Sequence, residues 1–423
     1  MSNKVELLAP AGNFEKLEMA IHYGADAVYL AGKKFSLRNF SDNFEPDQLR
    51  QAIDLAHRAE VKVYAACNTY SRNDEQIAIA DYLRMLSEFK ADAVIIADPG
   101  VLRLARKHIP HMPVHLSTQA NTTNYNSALF WKEVGVKRII ATRELTLNEI
   151  KEMVNLGGVQ IESFVHGAMC ISYSGRCLLS SFLTSRDSNR GSCTHPCRWK
   201  YAVVEESRPG KYMPIAEDER GSYIFNSKDL CMIAHIPELV ESGIHSLKIE
   251  GRMKGINYLA TTVKVYRQAL DAYRANPESY RLKDEWVQQL ESINHRGYCT
   301  GFYFDDPQQI AANHSKVKKH FRLCIVGKVL EAAGNGRTVV EVRNKVFEGD
   351  VVQVLRRSGS PVRDTVLRII DPNKQAVSFA QPGSRVTMLM NRLYAPNDII
   401  RRIEEPADEE ILPGADKMKN QKN

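Results

Sequence analysis

The sequence of 423 residues predicts an α/β fold, in which a (β/α)8 barrel precedes a small antiparallel β-barrel. Two observations predict the first barrel. Short apolar segments alternate with amphipathic helical segments over about the first 250 residues, and eight such repeats are present. Alternation of this kind indicates a parallel sheet that is buried on both faces. A doubly wound sheet is the structural alternative, but a count of eight favours closure into a barrel. The third observation, a change of pattern after residue 321, predicts the second barrel.

Each predicted strand is an apolar run that ends in a polar turn. The eight runs are VELLAP (from Val5), AVYLAG (from Ala27), VKVYAACN (from Val61), AVIIADP (from Ala93), VHLSTQAN (from Val114), RIIATRE (from Arg138), IESFVHG (from Ile161) and SLKIEGR (from Ser246). Amphipathic segments such as FEKLEMAIHYG and PDQLRQAIDLAHRA lie between them and predict the helices. The run INYLATTVKVYRQALDAYRA predicts the eighth helix.

The seventh repeat is much longer than the others. About 80 residues separate its strand from the eighth strand, whereas a loop and a helix need far fewer. We therefore predict a barrel over residues 1–275 with a cysteine-rich insertion at about 167–245. Part of this insertion alternates apolar and polar residues, which indicates a small β-structure. A linker is expected over residues 276–320.

The last hundred residues have a different pattern. Short strand-like runs, including LCIVGKVLEA and RTVVEVRNKV, are separated by the turns GNG, EGD and PNK. This pattern predicts a small antiparallel β-barrel over residues 321–403. The remaining tail, 404–423, is highly charged and lacks a core pattern, so we expect it to be disordered.

The positive charge of the chain is concentrated in this second domain. The whole chain carries a net charge of +7, whereas residues 315–402 contain 17 Lys and Arg against 7 Asp and Glu. A basic module beside a near-neutral one indicates a polyanionic partner, most simply a nucleic acid. The alternative is a solvated basic surface without a partner.

Composition also sets the expected compartment. No apolar run approaches the roughly 20 residues that span a bilayer, so no membrane partner is expected. The N-terminus lacks the pattern of a secretory signal. We therefore expect a cytoplasmic protein, in which thiols stay reduced and clustered cysteines more often bind metal than form disulfides.

Polar residues recur where the predicted strands end. Barrel enzymes carry their sites at this C-terminal edge, so the recurrence predicts a polar pocket, although any one residue could be a helix cap or loop hydrogen bonder. The candidate catalytic residues are His166, Glu250, Arg143 and Asn68. The candidate substrate-binding residues are Gln119, Arg252, Lys248 and Asp98, and Asn121 and Glu144 also lie at strand ends.

The expected chemistry of these residues follows from their types. The two arginines and Lys248 can hold a carboxylate or a phosphate. His166 is a candidate acid or base, because it ends the seventh strand and precedes the cysteine segment. A structural histidine that bonds a nearby carbonyl is the alternative.

Five cysteines form a candidate metal site. Four of them, Cys170, Cys177, Cys193 and Cys197, fall within 28 residues, and Cys231 follows. Structural zinc sites usually contain CxxC pairs, and this sequence has none. Widely spaced thiols on a glycine-rich loop suit an iron–sulfur cluster, with zinc as the alternative metal. The sequence contains no HExxH, GxSxG, Walker or GxGxxG motif.

The segment ESFVHGAMCISYSGRCLLSSFL resembles the signature of the collagenase-like "unassigned peptidase" family. The runs LLAPAGNFEKLEMAIHYGADAVYLAG, NRGSCTHPCRWKY, SLKIEGRMK and RGYCTGFY match as well, so the resemblance extends to about Arg402. In length and in its appended β-barrel, the chain is most similar to family members that hydroxylate the wobble uridine of tRNA to 5-hydroxyuridine with the help of prephenate. Other members hydroxylate a ribosomal RNA cytidine or ubiquinone precursors, and the latter carry a [4Fe–4S] cluster.

The resemblance implies a function and a ligand set. The cluster ligands would be Cys170, Cys177, Cys193 and Cys231, with Cys197 as an alternative ligand. The implied partners are tRNA, prephenate and a redox partner or paralogous subunit. Because chemistry on a base requires unstacking it, the barrel would receive a flipped uridine, and the basic β-domain would bind the RNA backbone.

Two other functions are compatible with the sequence. The family's label implies a peptidase, although no set of nucleophile, base and orienting residue is legible in the sequence. The third hypothesis is an RNA-binding subunit without chemistry of its own.

Overall fold

A computed structural model of the chain describes residues 4–36, 42–170, 176–199, 217–218, 221–222, 228–304, 322–334 and 336–404. The chain divides into two compact units. The first comprises Met1–Val317 with Arg357–Gly359, and the second comprises Lys318–Arg356 with Ser360–Asn423.

The first unit is a closed parallel barrel, as the sequence predicts. Its eight strands pair in chain order, and the last strand closes the barrel by pairing with both the first and the seventh. The barrel strands are β1 (Glu6–Pro10), β2 (Ala27–Leu30), β3 (Lys62–Cys67), β4 (Ala93–Ile96), β5 (Val114–Leu116), β6 (Arg138–Ile140), β7 (Gln160–Ala168) and β11 (Ser246–Ile249). All eight lie within or overlap the predicted runs.

Helices alternate with these strands. They are α1 (Phe14–His22), α2 (Pro46–Arg58), α3 (Gln76–Glu88), α4 (Pro99–His108), α5 (Tyr125–Glu133), α6 (Leu147–Gly157) and α9 (Ile256–Ala275). Side chains fix several of the helix starts. Asn13 accepts a hydrogen bond from the Lys16 amide at the start of α1, and Thr146 and Glu149 form a capping box at the start of α6. The predicted eighth helix coincides with α9.

The insertion between β7 and β11 contains α7 (Leu179–Thr184), β8 (Glu217–Asp218), β9 (Gly221–Ser222), β10 (Asp229–Cys231) and α8 (Ile236–Glu241). Strand β10 runs antiparallel to β7 and places Cys231 opposite His166. The small β-structure predicted for this insertion falls mostly on residues 200–216, 219–220 and 223–227, outside the described residues.

Part of the predicted linker is folded into the first unit. Residues 276–304 contain α10 (Asp284–Glu291) and β12 (Tyr298–Cys299), which pairs with β10. Trp286 and Leu290, one helical turn apart, are both buried, so α10 packs as an amphipathic helix. The apolar residues in this part of the predicted linker recur at helical spacing, which accounts for α10. Residues 305–321 lie outside the described part of the chain.

The second unit is a closed antiparallel β-barrel, which confirms the prediction. Six strands close in the order β16-β21-β13-β14-β20-β17, and a short strand extends β17. Its strands are β13 (Arg322–Ala332), β14 (Arg337–Val342), β15 (Val346–Phe347), β16 (Val351–Leu355), β17 (Val362–Ile370), β18 (Ala376–Val377), β19 (Phe379–Ala380), β20 (Arg385–Met390) and β21 (Ile399–Glu404). Valine, isoleucine and methionine side chains fill its core. The predicted disordered tail lies outside the described residues from position 405 onward.

None of the helices in the described ranges is both long and apolar enough to cross a membrane.

Candidate active site at the mouth of the barrel

The end of the barrel where the strands begin is filled by paired charges. Arg138 Nη1 lies 2.6 Å from Glu6 Oε1 and 3.4 Å from Glu162 Oε2, and Lys248 Nζ lies 2.7 Å from Glu162 Oε1. Glu6 also accepts hydrogen bonds from the hydroxyls of Tyr64 and Ser246. Strands β1 and β6 are not neighbours in the sheet, so these bonds cross the barrel interior. We call the set Glu6, Tyr64, Arg138, Glu162, Ser246 and Lys248 the closed-end network.

The position of Lys248 limits its predicted role in binding substrate. Its side chain is 5% exposed, its ammonium pairs with Glu162, and it lies over the rings of Tyr29 (4.4 Å) and Phe164 (5.4 Å). The ammonium is therefore neutralised inside the barrel rather than presented at its rim. Its contacts with β2 and β7 also show that Tyr29 and Phe164 face the interior.

At the opposite end of the barrel, hydrogen bonds through Ser117 connect two predicted site residues, Asn68 and Gln119. Asn68 Nδ2 donates to Ser117 Oγ at 3.5 Å, and Ser117 Oγ donates to Gln119 Oε1 at 3.1 Å. Asn68 follows β3 and Ser117 follows β5, and β4 separates these strands in the sheet, so these hydrogen bonds span the mouth of the barrel. The side-chain oxygen of Gln119 accepts this bond from Ser117, so the amide nitrogen of Gln119 points away from Ser117. Ser117 was not singled out in the sequence, although it lies in the predicted run VHLSTQAN.

Several buried polar atoms at the mouth have no hydrogen-bond partner in the part of the chain that the structure describes. Among the described residues at the ends of β5 and β6, Gln119 Nε2, Thr142 Oγ1 and Glu144 Oε2 are buried and have no hydrogen-bond partner. Gln119 is 4% exposed and Thr142 is 2% exposed. Because unpaired buried polar groups are costly, several of them at the ends of neighbouring strands indicate a place where a polar ligand binds.

Arg143 and Glu250 lie at the same mouth. The guanidinium of Arg143 stacks on the ring of Phe164, 3.7 Å from its centroid, and so presents a cation above an interior aromatic face. Glu250 follows β11 and accepts a hydrogen bond from the Tyr29 hydroxyl at 3.2 Å. The structure therefore brings Asn68, Gln119, Arg143 and Glu250 to one end of the barrel.

Two predicted substrate-binding residues have structural partners. Asp98 caps α4, since its Oδ1 accepts a hydrogen bond from the Val101 amide at 3.0 Å. Arg252 is 3% exposed and donates from Nη2 to Asn43 Oδ1. For both, contact with substrate stays a prediction.

His166 faces away from the barrel interior. The pairing of β7 with β11 skips one residue between Phe164 and His166, and this β-bulge turns the imidazole towards Tyr258 and Tyr266 of α9. Burial lowers the pKa of His166 to about 3, so the imidazole is neutral near pH 7. His166 therefore does not join the polar residues of the mouth, and its role as an acid or base stays a prediction.

Gly167, which follows His166, lies very close to the backbone of Glu250. Gly167 has φ +107°, and a Cβ at this position would lie 2.3 Å from the carbonyl oxygen of Glu250. Only glycine tolerates both constraints. The His-Gly pair of the sequence thus holds the ends of β7 and β11 together beside the mouth.

A salt bridge fixes the cysteine segment to the barrel. Arg190 makes two hydrogen bonds to Glu75, of 2.6 and 3.0 Å, and a third to the carbonyl of Tyr70 at 2.6 Å. This interaction lowers the pKa of Glu75. Within the segment, Ser188 and Asn189 both donate to the carbonyl of Cys177. The segment is thereby held beside the loop that follows β3, and no spacing rule in the sequence pointed to Arg190.

The five candidate ligands are thiols, which bind metals, but the described residues do not arrange them as a metal site. Among Cys170, Cys177, Cys193, Cys197 and Cys231, the thiols of Cys170, Cys177 and Cys231 are free. Burial raises the pKa of Cys231 to about 12. In the part of the chain that the structure describes, no three His, Cys, Asp or Glu side chains lie together as a metal site. Residues 171–175 and 200–216, which connect these cysteines, are outside that part.

Comparison with known proteins gives consistent matches over both units. Residues 12–313 match the description "Peptidase family U32", and residues 322–401 match "Peptidase family U32 C-terminal domain". The chain is 37% identical to "tRNA hydroxylation protein P1" of Bacillus subtilis, over 95% of this chain and 96% of that protein. It is 37% identical to "tRNA hydroxylation protein P" of Escherichia coli, over 94% and 95% of the two chains. It is 36% identical to "Uncharacterized protease MJ0090" of Methanocaldococcus jannaschii, over 95% and 98%.

Proposed function

This chain belongs to peptidase family U32, and from that membership we propose that it hydroxylates uridine in tRNA. The observation that carries the proposal is its similarity, along both units, to two proteins named for tRNA hydroxylation. The target would be the wobble uridine and the product 5-hydroxyuridine.

The mouth of the barrel is the proposed place of reaction. A uracil ring offers carbonyl oxygens as acceptors and one imide N–H as a donor. The free amide nitrogen of Gln119 suits the former, and the unpaired carboxylate oxygen of Glu144 suits the latter. A base reaches such a pocket only when it is unstacked from its neighbours. Gln119 and Glu144 would therefore orient the flipped base.

Prephenate is the proposed co-substrate, and Arg143 is its proposed ligand. A guanidinium stacked on Phe164 is held in one plane, which favours bidentate pairing with a carboxylate. We do not assign Lys248 this role here, since its ammonium pairs with Glu162. Glu250 and Asn68 lie at the mouth, and we assign them to positioning the substrate.

We further propose that Cys170, Cys177, Cys193 and Cys231 hold a [4Fe–4S] cluster, with Cys197 as the alternative ligand. The free thiols of Cys170, Cys177 and Cys231 and the anchoring of the cysteine segment by Arg190 support this proposal. When bound, the cluster would supply electron transfer.

Analysis of tRNA nucleosides tests the proposed activity. A strain that lacks this chain should lose 5-hydroxyuridine and its derivatives from tRNA digests, as measured by mass spectrometry, and the wild-type chain should restore them. A strain that also lacks any paralogue removes redundancy. Unchanged nucleosides in that strain would contradict the proposal, and cleavage of gelatin by the purified chain would favour the peptidase named by the family.

Metal analysis tests the cluster without reference to activity. Iron and acid-labile sulfide are measured in protein purified without oxygen. Cys177→Ser should lose both, whereas Cys324→Ser, in the second unit, should keep them. Comparing Cys231→Ser with Cys197→Ser decides between the two ligand sets, and full iron content in all four variants would refute the site.

A further inference from the structure

Two aromatic side chains lie side by side on the surface of the second unit. Strands β15 and β19 pair antiparallel, with Phe347 directly opposite Phe379. Their ring centroids are 5.9 Å apart, and the side chains are 43% and 39% exposed. We call Phe347 and Phe379 the aromatic pair.

The core of the β-barrel does not require these rings. In the same two strands, Val346 pairs with Ala380, and both are buried in the core. Alternate residues of a strand point to opposite faces, so the aromatic pair occupies the outer face. A cross-strand aromatic contact adds some stability, but leaving about two fifths of each phenylalanine exposed to water is unfavourable unless something covers it.

A cation accompanies the aromatic pair. The Lys345 ammonium lies 4.8 Å from the Phe347 centroid and 4.4 Å from the Phe379 centroid. The backbone around it is held firmly: Arg402 donates to the carbonyl of Lys345 and to Asp350, and Asp350 accepts from the Phe347 amide at 3.0 Å. The rings and the ammonium are therefore presented on a rigid support.

The charge of the sequence around the aromatic pair favours one kind of partner. Residues 315–402 carry 17 Lys and Arg against 7 Asp and Glu, which favours a polyanion. Among polyanions, single-stranded RNA combines phosphates with flat bases, and aromatic side chains bind any such base through its face. We propose that the aromatic pair stacks an unpaired nucleobase of RNA, while Lys345 binds an adjacent phosphate. The choice of RNA rests on the proposed function.

Binding measurements on the full-length chain test the stacking. The double variant Phe347→Leu/Phe379→Leu keeps apolar bulk but removes the aromatic faces. Its affinity for an unstructured RNA oligonucleotide should fall by about 5- to 100-fold, with little change for an RNA duplex of equal length. The matched control is Phe130→Leu on α5, which is 54% exposed and also lies beside an aromatic residue, Trp131. It should bind both RNAs as the wild type does.

The salt dependence separates the two roles. Lys345→Gln should reduce the slope of log affinity against log salt by roughly 0.7 for single strands, whereas the double leucine variant should leave the slope unchanged. If the double leucine variant binds single-stranded RNA with wild-type affinity, the proposal is wrong.

Photocrosslinking provides a test that does not depend on folding of the variants. RNA containing 4-thiouridine is irradiated with the wild-type chain, and the adducts are mapped by mass spectrometry. Adducts on Phe347 or Phe379 support the proposal, and adducts confined to the first unit overturn it. Hydroxylation is assayed separately: absent hydroxylation with weakened single-strand binding refutes the proposed function alone, and the reverse result refutes only the stacking.

Discussion

The two ends of the parallel barrel handle buried polar groups in opposite ways. At the closed end, Glu162 holds both Lys248 and Arg138, and Arg138 also holds Glu6. At the mouth, Gln119 and Thr142 each keep a buried polar atom without a partner among the described residues. The charged groups of the closed-end network pair with one another, although His115 Nδ1 beside them has no partner among the described residues, whereas the mouth holds several such atoms.

The difference separates stability from function within one fold. Charges in a dry interior persist only where partners compensate for their lost hydration, so the closed-end network serves the folded state. Unpaired donors and acceptors cost free energy, and this cost is recovered when a ligand satisfies them. The contrast agrees with the general rule that parallel barrels carry their chemistry at the C-terminal ends of the strands.

Removing the central carboxylate should give the largest effect on stability. Glu162→Gln leaves the ammonium of Lys248 buried without an ionic partner, so the free energy of unfolding should fall by about 3–5 kcal/mol. Chemical denaturation measures the change. The control is Asp81→Asn, which breaks an exposed ion pair with Arg84 and should cost less than about 1 kcal/mol. Equal losses for the two variants would remove the distinction between the closed-end network and a surface ion pair.

At the mouth, the effect should fall on activity rather than on folding. Gln119→Ala removes the unpaired amide, and kcat/KM for the RNA substrate should fall by about 10- to 100-fold, since a lost buried hydrogen bond costs about 1–3 kcal/mol. Gln289→Ala removes a buried amide from α10 and should leave kcat/KM unchanged. A loss of stability in Gln119→Ala as large as that in Glu162→Gln would show that Gln119 serves folding.

The fold was largely predictable because its signals are local. Strand runs such as AVIIADP alternate with amphipathic helices, and strand order in a (β/α)8 barrel follows chain order. Rim residues such as Asn68 and Gln119 could be located for the same reason, as they lie within three residues of strand ends. The helix α10 was missed because its apolar spacing was outweighed by the polar residues around it.

Long-range contacts explain what the sequence did not predict. The pairing of Lys248 with Glu162 joins residues on β11 and β7, and no local pattern specifies it. The β-bulge that turns His166 towards α9 changes a predicted mouth residue into a buried one. Arg190 meets Glu75 across more than a hundred residues of chain. Such contacts depend on closure of the barrel, which local periodicity cannot describe.

Acid should weaken the closed end through His115. Burial, with the nearby charges of Arg138, Lys248 and Lys62, holds the pKa of His115 well below its usual value. The unfolded chain therefore binds a proton below about pH 6.5 that the folded chain does not, and stability is lost as the pH falls. From about pH 6 to 5, the wild type should lose about 1 kcal/mol more than His115→Asn. The control is the exposed His111→Asn, and parallel curves for His115→Asn and the wild type would contradict the prediction.

The smallest expected effect is a gain, rather than a loss, in the free energy of unfolding. Thr142→Val replaces an unpaired buried hydroxyl at the mouth with a methyl group of similar shape, so the chain should become about 0.5–1 kcal/mol more stable. Thr118→Val is the matched control, since its hydroxyl donates to the carbonyl of Ala141 and its loss should not stabilise. Thermal unfolding measures both variants, and kcat/KM shows whether the hydroxyl of Thr142 serves the substrate. A destabilised Thr142→Val would mean that the mouth is satisfied by the protein or by bound water, and the contrast between the two ends would then rest on Gln119 and Glu144.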